Sequence, residues 1–354
     1  MIIRPCLILN NNKGVINMNK LTKIGASALA GALVSLSAQA AEWNVSGSAG
    51  FTINGYDEGT AESTWTQDDS IKVSASGTTE SGINVSAYFE IDGAGTSGAY
   101  DDKYVSFGTD ELGTVTFYGH GGSSVMGAFD DITPKAYEEV WDVGVQAGTT
   151  TLSAADSRIN GTGADMMFYY ASPTIAGAQL HASLQTKSVA QSTTGNQTNG
   201  SDGKYSDWGV KYAPEMVEGL TLYYAQGTRE NGAVDHDEST IGITYAYGPI
   251  TVGYQESEED VANTAADNEL EQYSIAYQVN DNLSISYGER EYDHDTSLNV
   301  LSGDLTQKDS GFGVSYTMGG VSIGGSMNSH DNNAGSTAAA ADFDSYELNV
   351  SFAF

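Results

Sequence analysis

Over much of the chain, apolar and polar side chains alternate residue by residue. At the C-terminus Tyr346, Leu348, Val350, Phe352 and Phe354 share one parity, and Ser345, Glu347, Asn349, Ser351 and Ala353 share the other. Successive side chains of a strand point to opposite faces, so the pattern predicts strands with one greasy face and one polar or small face. It recurs at Trp43, Val45, Gly47, Ala49, Phe51 and Ile53, and at Ile83, Val85, Ala87, Phe89 and Ile91. Later examples are Ile241, Ile243, Tyr245 and Tyr247, then Tyr273, Ile275, Tyr277 and Val279, and Phe312, Val314, Tyr316 and Met318.

The connections alternate as well. Short turns are predicted at Thr78–Gly82, Asp110–Gly113, Pro173–Gly177, Pro214–Gly219, Gly248–Pro249, Asn280–Asn282 and Gly319–Gly320. Longer acidic or Ser/Thr/Asn-rich loops fall near 57–68, 92–101, 120–163, 187–204, 230–238, 256–268, 291–308 and 329–343. Seven short and eight long connections in strict alternation delimit 16 strands. One end of the sheet is decorated and the other trimmed. The fold class this implies is all-β: a transmembrane, antiparallel, up-and-down β-barrel with short periplasmic turns and long external loops. A soluble sandwich would put charge on its outer face. Here the non-apolar face is mostly Ser, Thr, Gly and Ala, and the acids collect in the loops. No fixed-period repeat points to a solenoid.

Composition narrows the classes further. The 354 residues contain 14 Lys+Arg against 46 Asp+Glu, a net charge of −32. Such a polyanion is a poor partner for nucleic acid. No apolar run of about 20 residues exists for a membrane-spanning helix. The charge is uneven: residues 1–40 hold four basic and no acidic residues, so 41–354 carry 10 basic against 46 acidic. Met18 to Lys23 is a short basic start, Ile24 to Ser37 is apolar and small, and Ala38-Gln39-Ala40 is an A-x-A cleavage site. Residues 18–40 therefore read as a Sec signal peptide, 1–17 as an over-read start, and 41–354 as the mature barrel domain. The only cysteine, Cys6, precedes the cleavage site, so the mature chain is expected to need no disulfide.

The candidate chemistry lies in the third long loop. Between Thr114–Gly119 and Met166–Ser172 no strand pattern appears, and a loop of that length in a compact fold is functional or disordered. It carries Asp130, Asp131, Glu138, Glu139, Asp142 and Asp156 against Lys135 and Arg158. Basic residues with polar-face parity are Lys72, Lys211, Arg229 and Arg290; Arg158 and Lys103 sit near strand starts and their direction is open. Each of these could line a lumen or sit at a loop rim. The shortage of basic residues favours an acidic, cation-preferring constriction.

Other motifs carry less. Gly119-His120-Gly121-Gly122 resembles the oxyanion turn of esterases, but no G-x-S-x-G elbow accompanies it, so no enzyme activity is expected. Asp235, Asp237, Glu258, Glu259 and Asp260 are read as loop acids: solvated charge, or weak ligands for Ca²⁺ or Mg²⁺, which take clustered oxygens. No other cofactor is expected. Tyr169-Tyr170 and Tyr223-Tyr224 are placed near strand ends, where interfacial aromatic girdles belong.

Taken together, the signal peptide, the strand count, the long third loop and the terminal Phe354 resemble the Gram-negative general porin family, in particular its alphaproteobacterial, Rhodobacter-type branch. The resemblance spans the mature region. It implies a homotrimer of water-filled channels in outer-membrane lipid and lipopolysaccharide, passing small hydrophilic solutes and ions by passive diffusion. It also implies that the third loop folds into the pore as an eyelet. Its acids Asp130, Asp131, Glu138, Glu139 and Asp142 would then face basic wall residues. Tyr346, Leu348, Val350, Phe352 and Phe354 match the terminal strand that the family's assembly machinery reads. The competing reading is a barrel adhesin whose acidic loops all project outward.

Overall fold

In the computed structural model, the described residues are 42–57, 63–92, 101–142, 158–163, 166–186, 204–230, 235–261, 266–294, 305–336 and 341–354. Cys6, Asp156, the segment 1–17 and the segment 18–40, which reads as a signal peptide, lie outside them. Sixteen strands follow one another: β1 (Glu42–Tyr56), β2 (Thr64–Thr78), β3 (Asn84–Asp92), β4 (Lys103–Thr109), β5 (Gly113–His120), β6 (Met167–Ala171), β7 (Ala178–Gln185) and β8 (Lys204–Tyr212). Then come β9 (Leu220–Glu230), β10 (Asp235–Tyr247), β11 (Ile250–Val261), β12 (Ala266–Asn280), β13 (Leu283–His294), β14 (Leu305–Met318), β15 (Val321–Asp331) and β16 (Phe343–Ala353). Each pairs antiparallel with its sequence neighbours, and β1 pairs with β16, so the sheet closes into a barrel. Closure is what hydrocarbon demands, because an open edge would leave backbone donors and acceptors with no partner.

The closing seam reaches the last residue. Phe354 exchanges two backbone hydrogen bonds with Gly47, at 2.8 and 3.0 Å. A Cβ at position 47 would stand 2.7 Å from the Phe354 ring, so glycine leaves the space this ring fills. Tyr346 likewise lies over Gly55.

Side-chain alternation becomes inside against outside. Trp43, Val45, Ile71, Ile241, Tyr273 and Phe312 point outward and are well exposed, as a lipid-facing surface must be. Their neighbours of opposite parity, among them Ser70, Thr240, Gln255, Gln272, Gln307 and Asn328, are buried polar groups on the lumen side. Adjacent tyrosines divide the same way: Tyr169 and Tyr223 face the lumen and only Tyr170 and Tyr224 remain outside. The girdle assignment therefore fits one member of each pair, as period-two geometry requires.

The acidic runs at the outer end correct the sequence reading. Asp235 and Asp237 lie on β10, and Glu258, Glu259 and Asp260 on β11, not in loops. Residue by residue, β10 pairs with β11, and Asp237 stands opposite Asp260. The ladder continues past the lipid, into water on both faces. There the apolar–polar alternation has no reason to persist although the strand does. The boundary is marked by outward tyrosines: Tyr254 donates to Glu256, Tyr273 to Glu289, and Tyr287 to Glu289 at 2.7 Å. Rings below and carboxylates above suit an interface.

The seam and the terminal strand generate one prediction. Phe354→Ser keeps the backbone pairing to Gly47 but removes the ring. Its level in the outer membrane at native expression should fall severalfold, measured as heat-modifiable protein on gels; an unchanged level would contradict this.

Candidate functional site

The third loop enters the lumen directly after β5. Gly121 and Gly122 hold φ of +69° and +82°, a region glycine adopts without strain, and reverse the chain into the barrel. One helical turn, α1 (Val125–Ala128), follows, capped by the Ser124 side chain, which accepts from Gly127 N at 3.3 Å. Val125, Met126, Phe129 and Ile159 then form a buried apolar cluster with Ala225 of β9, Leu270 of β12 and Tyr292 of β13. Ile132, Tyr169 and Tyr223 pack at its margin. A barrel of this kind has its greasy surface outside, so this small core beneath the loop ties the loop to the wall.

A groove of lumen-facing glycines receives the loop. Val125 lies over Gly209 of β8, where a Cβ would come within 2.8 Å of its Cγ1. Ile132 lies over Gly242 of β10, and Pro134 over Gly253 of β11. Val140 meets Gly288 of β13, Ala136 meets Gly313 of β14, and the Tyr137 ring fills the space above Gly324 of β15. Across six strands the missing side chains make room for loop atoms.

Wall polar groups satisfy the loop backbone between those contacts. Asp207 accepts from Met126 N at 2.8 Å. Gln255 accepts from Ile132 N at 3.0 Å and donates to Phe129 O at 2.7 Å. Ser286 accepts from Ala136 N at 2.9 Å, and Ser274 donates to Pro134 O. Asn328 reaches both Glu139 O, at 3.3 Å, and Asp142 O, at 3.2 Å, while Tyr137 donates to Glu347 of β16. All these contacts lie on β8–β16. The lumen wall across from this seat belongs to β2–β6.

The loop acids are brought together. Lys135 bridges Asp131 and Glu139. Carboxylate oxygens of Glu138, Glu139 and Asp142 lie within 4.8 Å of one another, the one such grouping among the described residues. Asp130 stands 3.9 Å from Arg158. Burial, and then the charge of Asp131, push the Asp130 carboxyl up to about 7, against the pull of Arg158 and Lys135. Burial and the neighbouring charges of Asp142 and Glu347 also raise Glu138. By contrast, strand alternation splits the loop-acid set read from sequence. Glu259 turns inward, held by His236 at 3.0 Å and Asn268 at 3.0 Å. Asp235, Asp237, Glu258 and Asp260 have outward parity, so these five do not converge on one ion.

The basic candidates keep their inward parity but are mostly engaged. Arg290 is 2% exposed, 3.6 Å from Asp309, and its guanidinium lies 5.4 Å from the Trp141 ring of the loop. Arg158 covers the same ring at 4.7 Å. Two guanidiniums on one indole pin the loop tip by cation–π attraction. Asp309 also holds His330 at 2.8 Å, and His330 reaches Ser345 at 3.0 Å, so the charge beneath the loop is buried and partnered. Arg229 donates to Gly161 O in the returning limb of the loop. Lys211 lies 5.7 Å from the Tyr223 ring. Lys72, on the facing wall, pairs with Glu90 at 3.2 Å. The arginines thus anchor the loop instead of forming an open basic wall against it. Sequence parity gives their direction; it carries no information on what lies over them. Tyr137, Trp141 and the glycine groove were not singled out from sequence. Their signal is there in hindsight, as glycines repeating at lumen parity from β8 to β15. The described part of the third loop lies inside the barrel, which removes the basis of the adhesin reading.

Two predictions follow from this geometry. Gly324→Val places a side chain where the Tyr137 ring sits; overpacking of this kind costs about 1–3 kcal/mol. The loop tip should lift, and single-channel conductance should change against wild type. Asp130 is protonated below about 7 and ionised above it. A folded pKa raised above the unfolded value means stability is lost as pH rises between the two, so the loop's seat weakens toward about 7. Cation preference should rise as pH passes through about 7, where the charge appears, and Asp130→Asn should flatten that rise.

Comparison with known proteins agrees with this construction. The profile of the Gram-negative porin family matches residues 25–304, stopping just before β14. The structure superposes on an anion-selective porin from Comamonas acidovorans with a TM-score of 0.64 at 14% identity, covering 89% of this chain and 100% of that one. A mutant porin of Rh. blastica gives 0.59 at 15% identity over 88% of this chain and 100% of its own. The trimer form of OmpT from Vibrio cholerae gives 0.63 at 12% identity, covering 89% and 100%. At such identities the likeness is one of fold. No curated protein sequence matches the chain. The profile match covers most of the chain, and with the closed 16-strand barrel it settles the assignment: the chain belongs to the Gram-negative porin family, channel proteins of the outer membrane and not enzymes.

Proposed function

We propose that this porin is a passive diffusion channel for small hydrophilic solutes with a weak preference for cations, set by the third loop. The observation that carries this is the loop's acidic flank. Asp130, Asp131, Glu138, Glu139 and Asp142 share one pinned segment, and a single lysine, Lys135, bridges two of them. On the facing wall Lys72 is already neutralised by Glu90. Charge at a narrow place with low-dielectric walls acts strongly. The much larger surplus in the outer loops is screened within about 8–10 Å at physiological salt. The Comamonas relative is described as anion-selective, so the family fold itself does not fix the sign; the local charge does.

The remaining partners follow the same reading. Residues 18–40 direct export, and the terminal strand ending in Phe354 engages the assembly machinery. Three copies associate, as OmpT of Vibrio cholerae does in its trimer form. The outward carboxylates Glu256 and Glu289, above the tyrosine boundary, suit divalent cations that bridge to lipopolysaccharide phosphates. Glu138, Glu139 and Asp142 offer oxygens to Ca²⁺ or Mg²⁺ passing through the pore.

The test is the reversal potential across a planar bilayer under a KCl gradient. Wild type should prefer potassium. Replacing the five loop carboxylates by Asn or Gln should abolish or invert that preference. An anion-selective wild type, or an unchanged preference in the variant, would refute the assignment.

A further inference from the structure

The lumen wall facing the loop carries a feature that a simple aqueous pore does not need. Tyr88 of β3, Tyr104 of β4, Tyr118 of β5 and Tyr169 of β6 all point inward from four consecutive strands. Tyr88 stands opposite Tyr104, and Tyr104 opposite Tyr118. Their rings run on continuously. Tyr88 and Tyr104 stack at 5.0 Å and 18°, Tyr104 meets Tyr118 edge-on at 5.5 Å, and Tyr118 meets Tyr169 edge-on at 6.3 Å. All four remain partly exposed. Elsewhere the lumen wall is built largely from Ser, Thr, Asn and Gln, and outward aromatics have a lipid to meet. Tyr169 packs at the margin of the loop's core and Tyr118 lies against Gly122, whereas Tyr88 and Tyr104 have neither lipid nor that core beside them, so their rings offer apolar surface to what passes.

The surroundings define what could use that surface. On the β2 side, Ser74 stands opposite Tyr88, so a small residue flanks the outermost ring. One layer toward the periplasmic turns, the wall falls back to Ser76, Ser86 and Ser106, with Thr114 a further layer down, leaving a recess of about 510 Å³ with Glu42 in its lining. One layer toward the outside is Glu90, which accepts from the Tyr88 hydroxyl at 2.6 Å. That bond adds electron density to the ring. Across the lumen lies the acidic flank of the loop. Ring faces attract cations, and the attraction strengthens where water is scarce. Glu90 is already paired with Lys72, so the loop's carboxylates across the lumen supply the complementary charge.

We propose that the Tyr88–Tyr104–Tyr118–Tyr169 row is a binding track for organic cations that carry a planar apolar body, held between the rings and the carboxylates on their way through the pore. This rests on the cation-preferring reading of the channel. It adds a ring-dependent affinity that charge alone does not give.

The experiment is single-channel recording in KCl with four added probes: benzyltrimethylammonium, tetramethylammonium, benzyl alcohol and maltose. Benzyltrimethylammonium should interrupt the current in a concentration-dependent way, with interruptions about threefold or more longer than those of tetramethylammonium. Benzyl alcohol should leave the current undisturbed. Combined Tyr88→Leu and Tyr104→Leu should remove the difference between the two ammonium probes, and combined Tyr88→Phe and Tyr104→Phe should keep most of it. If the leucine variant yields no channels, the comparison of the probes on wild type and on the phenylalanine variant still decides. Equal interruptions by the two ammonium probes on a channel whose KCl reversal potential shows cation preference would overturn the track and leave the charge reading standing. An anion-preferring wild type would overturn the charge reading itself. Interruptions by maltose as long as those of benzyltrimethylammonium would also overturn the track, because the row would then serve neutral sugars.

Discussion

Every backbone N–H and C=O within a bilayer must find its partner inside the protein, and the rest of this structure follows from that. A sheet meets the requirement only by closing, and β1 pairing with β16 closes it. The Gly47–Phe354 exchange carries the pairing to the last residue. Closure then gives the two faces of the sheet different solvents. Trp43, Ile241 and Phe312 are suited to the outer face because lipid meets it. Gln255, Gln272 and Asn328 are suited to the inner face because it holds water and the third loop.

The loop poses a second problem of the same kind. Its irregular backbone enters the lumen at membrane depth, and the groups pressed against the wall lose their water and need a partner on the protein. The wall answers with two devices. Glycines at lumen parity let the loop approach closely, as Tyr137 does over Gly324. Between them Asp207, Gln255, Ser286 and Asn328 take up its N–H and C=O groups. Arg290 and Arg158 then hold Trp141 from the barrel side and from the loop's own returning limb. Of the four basic residues with lumen parity, Arg229 and Arg290 are engaged with the loop and Lys72 is paired with Glu90, so little basic charge stands free opposite the loop acids.

Sequence legibility tracks the solvent. Where lipid lies on one side and the lumen on the other, alternation is clear, and the strands around Tyr273–Val279 or Tyr346–Phe352 can be read directly. Above the lipid both faces are wet, alternation fades, and Glu256–Asp260 reads as loop although the ladder runs on to Val261. The acids of the third loop were legible as a group because they cluster in one segment. Their anchoring was not, because it depends on contacts such as Asn328 with Asp142, 186 positions apart. Parity could show that Arg290 points inward; only the fold shows Trp141 above it. A single glycine in a strand can mean a bulge or a close approach, and only the run from Gly209 to Gly324 across neighbouring strands distinguishes the two.

The third loop lies inside the barrel, seated on the wall from β8 to β16. A Cβ built at Gly313 would stand 3.8 Å from that of Ala136, a separation suited to a disulfide. The chain's one cysteine, Cys6, precedes the barrel, so an introduced pair has no competitor within it. Combined Ala136→Cys and Gly313→Cys should form an intramolecular disulfide on oxidation in native outer membranes, read by mass spectrometry of the linked peptides, with single-channel conductance close to wild type. Two free thiols under the same oxidation, in a barrel that has assembled, would contradict the account.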